Sequence, residues 1–177
     1  MVNVLRKRLE NKWNVSKQEA LKSVIHFDIQ KTKELINGRW SKTSIATYGP
    51  TNHTEIISKG LRGLCKEKKI DLIIGGPPCQ AYSIAGRAQD AHSMKHDYRN
   101  YLFEAFVEVV SNFSPKMFIF ENVPGMLSAK PGDELVIKRI FNAFDKIGYE
   151  ILDSNNIKEA KIDASLYGVP QKRKRVF

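Results

Sequence analysis

Asp71-Leu72-Ile73-Ile74-Gly75-Gly76-Pro77-Pro78-Cys79-Gln80 is the stretch on which the reading of this chain turns. Leu72-Ile73-Ile74 is a short apolar run, and it stops at two glycines and two prolines. Pro77 and Pro78 fix φ and remove two backbone donors, while the glycines let a ligand approach the main chain closely. A cysteine framed in this way is badly placed to fill a core and well placed to be presented at the end of a strand. A small, inert, buried thiol is the competing reading, and the Gly-Gly-Pro-Pro frame argues against it. An ordinary thiol has a pKa of about 8.5, so a nucleophilic role needs nearby positive charge or a polarised partner. Arg173 and Arg175 are the candidates to supply that charge.

Outward from this stretch, helices alternate with short apolar runs. Val2 to Trp13 carries Leu5, Leu9 and Trp13 among basic residues, the spacing of an amphipathic helix. Val24 to Ile29 reads as a strand ending beside Asp28, followed by a helix over Lys31 to Asn37 that Gly38 closes. Arg39 to Tyr48 reads as a loop, and Thr51 or Asn52 as the cap of a helix running to about Lys66. Asp71 to Gly75 is a strand, Gly76 to about His96 a loop, and Tyr98 to Asn112 a helix with its apolar stripe at Leu102, Phe103, Phe106, Val109 and Val110. Lys116 to Phe120 is a third strand, ending at Glu121-Asn122-Val123, and Asp133 to Ile147 is a further helix. Tyr149 to Phe177 reads as strand, loop and strand, with the basic run Gln171 to Arg175 near its end.

This alternation predicts an α/β fold with a mostly parallel sheet, in which ligands bind outside the carboxyl ends of the strands. Asp28, Cys79 and Glu121 each occupy such an end, so the three are expected to line one crevice. Glu121 follows Met117-Phe118-Ile119-Phe120. Apolar surroundings favour the neutral form of a carboxyl, and a carboxylic acid so poised can donate a proton.

Composition narrows the setting. Lys and Arg total 29 against 19 Asp and Glu, a formal charge of +10, which suggests an anionic partner with nucleic acid foremost. The 177 residues suit one domain. The two cysteines, Cys65 and Cys79, lack metal-ligand spacing and form no disulfide framework, so no metal is expected and a reducing cytoplasm is the default. No signal peptide and no membrane span are predicted.

Three segments together carry a family resemblance. Asp71-x-Ile73-x-x-Gly76-x-Pro78-Cys79-x-x-Tyr82-Ser83 resembles the catalytic loop of the DNA cytosine-5 methyltransferases. Glu121-Asn122-Val123 is similar to that family's Glu-Asn-Val motif, and Gln171-x-Arg173-x-Arg175 to its Gln-x-Arg-x-Arg motif, in the family's order. The resemblance implies a Rossmann-like S-adenosylmethionine-dependent methyltransferase fold and covers roughly Val24 to Phe177. It implies that Cys79 attacks C6 of a cytosine in double-stranded DNA, that Glu121 serves the ring nitrogen N3, and that Asn122 orders the loop and the acid. Arg175 would bond the base O2 atom, and Arg173 a phosphate or the catalytic loop. The target base would be extruded from the duplex, with Gln80, Ser83, Arg87 and Gln171 contacting DNA. Asp28, Ile29, Gly76, Pro78 and Leu102 match positions that hold the cofactor S-adenosylmethionine.

The chain also departs from the family pattern. The Phe-x-Gly-x-Gly cofactor loop has no counterpart before Asp28, since the first glycine in the sequence is Gly38. The resemblance therefore implies an incomplete fold: a partial catalytic domain over residues 1–177, without the first strands, the closing part or a target-recognition domain. A truncated product, one polypeptide of a split enzyme completed by a partner, and part of a longer chain all fit that pattern. The leading reading is a cytosine-5 DNA methyltransferase of a bacterial restriction-modification system. An RNA cytosine-5 methyltransferase of the related branch and a non-catalytic nucleic-acid-binding remnant are the alternatives.

Overall fold

The computed structural model describes residues 1–66, 68–78, 102–130, 133–151 and 159–177. It divides into two compact units, Met1–Lys69 and Ile70–Phe177. Cys79, Gln80, Ser83 and Arg87 lie outside the described residues.

The first unit is helical: α1 (Val2–Trp13), α2 (Lys17–Ser23), α3 (Thr32–Asn37), α4 (Lys42–Tyr48) and α5 (Thr54–Cys65), with a 3-10 turn at Gly49–Thr51. Local capping chemistry sets the starts. Ser16 accepts from the Glu19 amide ahead of α2, Ser41 from the Ser44 amide ahead of α4, and the His53 ring from the Glu55 amide ahead of α5. The loop expected over Arg39 to Tyr48 thus holds a helix. Its β-branched Thr43, Ile45 and Thr47 weaken the helical signal, and the Ser41 cap restores it. His53, rather than Thr51 or Asn52, caps α5.

The strand expected over Val24 to Ile29 is not formed. The segment has no ladder partner among the described residues, and side chains satisfy its backbone instead. Asn52 Oδ1 accepts from the His26 amide at 2.9 Å and its Nδ2 donates to the His26 carbonyl at 2.7 Å, as a neighbouring peptide group would. Arg6, only 6% exposed, donates through Nε to the Val24 carbonyl at 3.0 Å and through Nη1 to that of Thr51. Phe27 stacks on Trp40 with centroids 4.1 Å apart. At the α3–α5 contact two glycine backbones meet: a Cβ on Gly60 would fall 2.3 Å from the Gly38 nitrogen, and both glycines have positive φ.

The second unit is α/β: β1 (Leu72–Gly75), α6 (Leu102–Phe113), β2 (Met117–Phe120), a 3-10 turn at Pro124–Ser128, α7 (Val136–Asp145), β3 (Lys161–Asp163), a 3-10 turn at Ala164–Tyr167 and β4 (Lys174–Val176). β1 and β2 pair in parallel, Leu72 opposite Met117 and Gly75 opposite Phe120, with α6 in the connection between them. The second pair, β3 and β4, is antiparallel. Both strands anticipated around Cys79 and Glu121 are therefore present. The helix read over Asp133 to Ile147 is the shorter Val136–Asp145.

An aromatic core backs the parallel pair. Phe106, Val110, Ile140 and Phe144 are buried, and Phe118 of β2 stacks on Phe144 at 4.0 Å with a 15° interplanar angle. Gly75 has no side chain because the Phe106 ring occupies the space: an added Cβ would lie 2.2 Å from it. Among the described residues no helix is long and apolar enough to cross a membrane.

Candidate active site

β2 ends by handing its chain to Glu121, whose amide donates to the Gly75 carbonyl at 2.8 Å and prolongs the ladder by one step. This bond sets the carboxylate beside the chain leaving β1. A Cβ on Gly76 would fall 2.9 Å from Glu121 Oε2, so the missing side chain of Gly76 leaves room for the acid.

Asn122 fastens the same corner. It is 1% exposed; its Nδ2 donates to the Pro77 carbonyl at 3.3 Å and its Oδ1 accepts from the Val123 amide at 2.9 Å. Its backbone exchanges two 2.9 Å hydrogen bonds with Val176 of β4. A buried side-chain amide with both ends engaged is a rigid connector. It joins the loop after β1, the end of β2 and the end of β4.

β4 brings in the guanidinium. Arg175 Nε lies 2.7 Å from Glu121 Oε1, with the two side chains 22% and 32% exposed, and Arg175 Nη1 donates to the Lys174 carbonyl at 2.7 Å. A partly exposed pair of this kind contributes on the order of 0.2–1 kcal/mol to stability. Its main consequence is orientation: a carboxyl able to exchange a proton and a fixed fork of donors sit side by side. Glu121 is thus not in the purely apolar surroundings expected from the strand before it.

The residues singled out from sequence fall into distinct groups. Glu121, Asn122, Arg175 and Gly76 are brought together, and the described chain breaks off at Pro78, one residue before Cys79. Arg173 and Gln171 are exposed in the turn before β4. The Arg173 carbonyl accepts from the Ala164 amide at 2.9 Å, and the Gln171 amide donates to Val169 at 2.7 Å. Leu102 opens α6 and is buried. Asp28 and Ile29 belong to the first unit, at a turn rather than a strand end: Asp28 Oδ1 accepts from the Gln30 amide at 3.0 Å and the Ile29 carbonyl from the Thr32 hydroxyl at 3.2 Å. Of the three residues expected to line one crevice, Asp28 and Glu121 thus belong to different units, and Cys79 lies outside the described residues.

Sequence reasoning missed the Pro77 carbonyl and the Val176 backbone, because a main-chain partner leaves no mark in residue type. The open Cα face of Gly76, which the resemblance matches to the cofactor, is turned to Glu121, and that of Gly75 to Phe106. No group of three metal-ligating side chains occurs among the described residues. An apolar cavity of about 610 Å³ lies against Phe118, Phe120, Ile140 and Phe144, and neither Glu121 nor Arg175 lines it. Cys65, at the end of α5, has its thiol pushed above the usual range by burial, the opposite of what a nucleophile requires.

Comparison with known proteins agrees with the motif geometry. The family model described as C-5 cytosine-specific DNA methylase matches residues 15–177. The Type II methyltransferase M.Bpa9945I of Bacillus paralicheniformis is 45% identical over 129 residues, 72% of this chain and 28% of that protein. The Type II methyltransferase M.FnuDI of Fusobacterium nucleatum is 34% identical over 145 residues, 81% of this chain and 39% of that protein. A solved structure of a putative DNA modification methyltransferase encoded within an Escherichia coli prophage is 31% identical, with a TM-score of 0.46 over 76% of this chain and 36% of that one. The chain thus spans between 28% and 39% of the length of these relatives. With three motifs in family order and a family match over nearly its whole length, the chain belongs to the C-5 cytosine-specific DNA methylases, with an incomplete Rossmann-like α/β fold.

Proposed function

We propose that this chain carries the base-activating pocket of an enzyme that methylates C5 of cytosine in duplex DNA, in a restriction-modification system of the bacterial cytoplasm. The observation that carries the reading is the Arg175 Nε–Glu121 Oε1 pair at 2.7 Å, held against Gly76 and, through Asn122, against Pro77, two residues before Cys79.

In this reading the Cys79 thiolate adds to C6 of an extruded cytosine and forms an S–C6 bond. The ring resists that addition unless charge developing at N3 is neutralised. Glu121 supplies a proton or a strong hydrogen bond there, and Arg175 donates to O2. Electron density then collects at C5, to which S-adenosylmethionine, when bound, would supply the methyl group and leave as the neutral thioether; the C5 proton passes to water, the S–C6 bond breaks to return the Cys79 thiolate, and 5-methylcytosine is released. Asn122 keeps acid and loop in register, and Arg173 is free to meet a phosphate. S-adenosylmethionine is the methyl donor implied by the family.

The rest of the active enzyme is proposed to come from further chain, on this or a complementing polypeptide, because the relatives are longer than the matched region. The test uses duplex DNA containing 5-fluorocytosine with S-adenosylmethionine, and the chain alone or with the product of an adjoining reading frame. Fluorine cannot leave as a proton, so a working Cys79 stays attached. An adduct lost in Cys79→Ala supports the proposal. No adduct in either setting, with DNA binding that falls steeply with salt, identifies a non-catalytic binding module instead. Trapping on RNA alone would transfer the activity to the RNA branch.

A further inference from the structure

We propose that the apolar groove beside β2 is the berth of one β-strand, donated by a complementing polypeptide and lying in line with β4, antiparallel to β2. The inference rests on the reading that such a polypeptide completes the enzyme, and not on the chemistry assigned to Cys79 and Glu121.

One edge of β2 is left open. The Met117 and Glu121 amides donate to the Asp71 carbonyl at 3.1 Å and the Gly75 carbonyl at 2.8 Å, so the odd-numbered residues of β2 bond toward β1. Peptide groups alternate sides along a strand, which turns those of Phe118 and Phe120 to the opposite edge. No hydrogen bond meets them there among the described residues. Two residues on, the same edge is in use: Asn122 and Val176 exchange two 2.9 Å backbone bonds as an antiparallel pair. A ladder against this edge thus starts at Asn122 and stops after one step.

The groove opens where that ladder stops. Its space of about 610 Å³ is lined by Phe118 and Phe120 of β2, by Ala160 beside β3, by Ile140 and Phe144 of α7 and by Val176 of β4. A small-molecule site needs side-chain polar groups that converge on the ligand. Here Lys116 is paired with Asp71 and Tyr149 donates its hydroxyl to the Pro115 carbonyl, while the Phe118 and Phe120 peptide groups are unspent among the described residues. That is the pattern of strand addition, in which main-chain bonds hold an extended segment and alternate side chains fill the apolar space.

The existing bridge sets the register. Continuing from Asn122 opposite Val176, the position two beyond Val176 falls opposite Phe120 and the position four beyond falls opposite Phe118. Val176 is 5% exposed and the next residue, Phe177, 53%, so with a period of two both of those positions face the core. The donated segment is therefore apolar at alternate positions. A donor outside this chain agrees with the length of the relatives, of which the chain spans 28–39%.

Amide exchange in the 15N-labelled full chain reads this edge residue by residue. In the chain alone, Phe118 and Phe120 should exchange roughly tenfold or more faster than Met117 and Glu121. Slow exchange at both would mean that the edge is already held and would overturn the proposal. So would protection that grows with protein concentration, which would give the edge to a second copy. The defined probe is the chain extended after Phe177 by Val-Thr-Val-Thr-Val-Lys, which makes docking intramolecular. It should slow the Phe118 and Phe120 amides roughly tenfold or more, and Thr-Val-Thr-Val-Thr-Lys, shifted by one position, should not. Equal protection by both extensions, or by neither, would overturn the berth. Added to the unextended chain, the product of an adjoining reading frame should protect the same two amides; binding that leaves them unchanged would remove it as the donor and contradict the assignment. None of these readouts involves DNA. A missing adduct on 5-fluorocytosine DNA sinks the proposed chemistry, while exchange at Phe118 and Phe120 still decides the berth.

Discussion

The two units solve one problem in opposite ways. Each contains an extended apolar segment whose peptide groups need partners: Val24 to Ile29 in the first unit, Met117 to Phe120 in the second. In the second, a parallel neighbour supplies the bonds and an aromatic core backs the strand. In the first, side chains from elsewhere in the unit, Arg6 and Asn52, take the place of a strand. Ladder bonding repeats, so it delivers the residue after the strand, Glu121, to a fixed place. Side-chain bonding ends where the side chain ends, and Asp28 settles into a local turn. The site forms at the end of the segment that is laddered.

Mutations should separate the two solutions. The largest effect is expected from Phe144→Ala, which removes a fully buried ring stacked on Phe118. It should cost about 3–5 kcal/mol, read by denaturant unfolding, with faster amide exchange at Met117 to Glu121. Arg6→Ala comes next. It leaves the Val24 and Thr51 carbonyls without their charged donor, a loss of about 1.5–3 kcal/mol, and the His26 amide should exchange faster. Arg6→Lys should recover little, because one ammonium cannot span both carbonyls. If Arg6→Ala leaves stability unchanged, the side-chain account of the first unit is wrong.

Asn122→Ala tests the junction at the site. It leaves the Pro77 carbonyl and the Val123 amide unpaired at a buried position, at a cost of about 1–3 kcal/mol. Adduct formation should fall further than stability alone explains. The smallest effect is a pH dependence at the β3–β4 turn. The Asp163 carboxyl is held low chiefly by the bonds it accepts from the Ser165 amide and hydroxyl, so it titrates below its unfolded value of about 3.9. The turn should keep its full stabilisation above that value and lose it as pH falls through the lower folded one. The Ser165 amide resonance should report a transition on the acid side of pH 4; one near neutrality would contradict the assignment.

The same contrast explains what was legible in the sequence. Leu72–Gly75 and Met117–Phe120 announce themselves as short apolar runs between turn residues, and both are strands. Val24 to Ile29 has the same character, yet its fate depends on Arg6 and Asn52, residues distant in sequence with no local signal. Helix α4 was signalled by Ser41 and obscured by its β-branched residues. At the site, Glu121, Asn122 and Arg175 were legible as motif members, and the structure adds how they meet. The reason for Gly76 was not legible, because only the fold puts the Glu121 carboxylate against it.

The central claim is that Glu121, set by Arg175 at the end of the ladder, activates a cytosine for attack by Cys79. Its most direct test is the identity and yield of the DNA-linked peptide formed on 5-fluorocytosine duplex DNA by wild type and Glu121→Gln, each alone and with the product of an adjoining reading frame. The account predicts a single linked peptide containing Cys79, and a yield rate lower by roughly 10²-fold or more in Glu121→Gln with DNA binding retained. Linkage through Cys65, or an undiminished rate in Glu121→Gln, would contradict it.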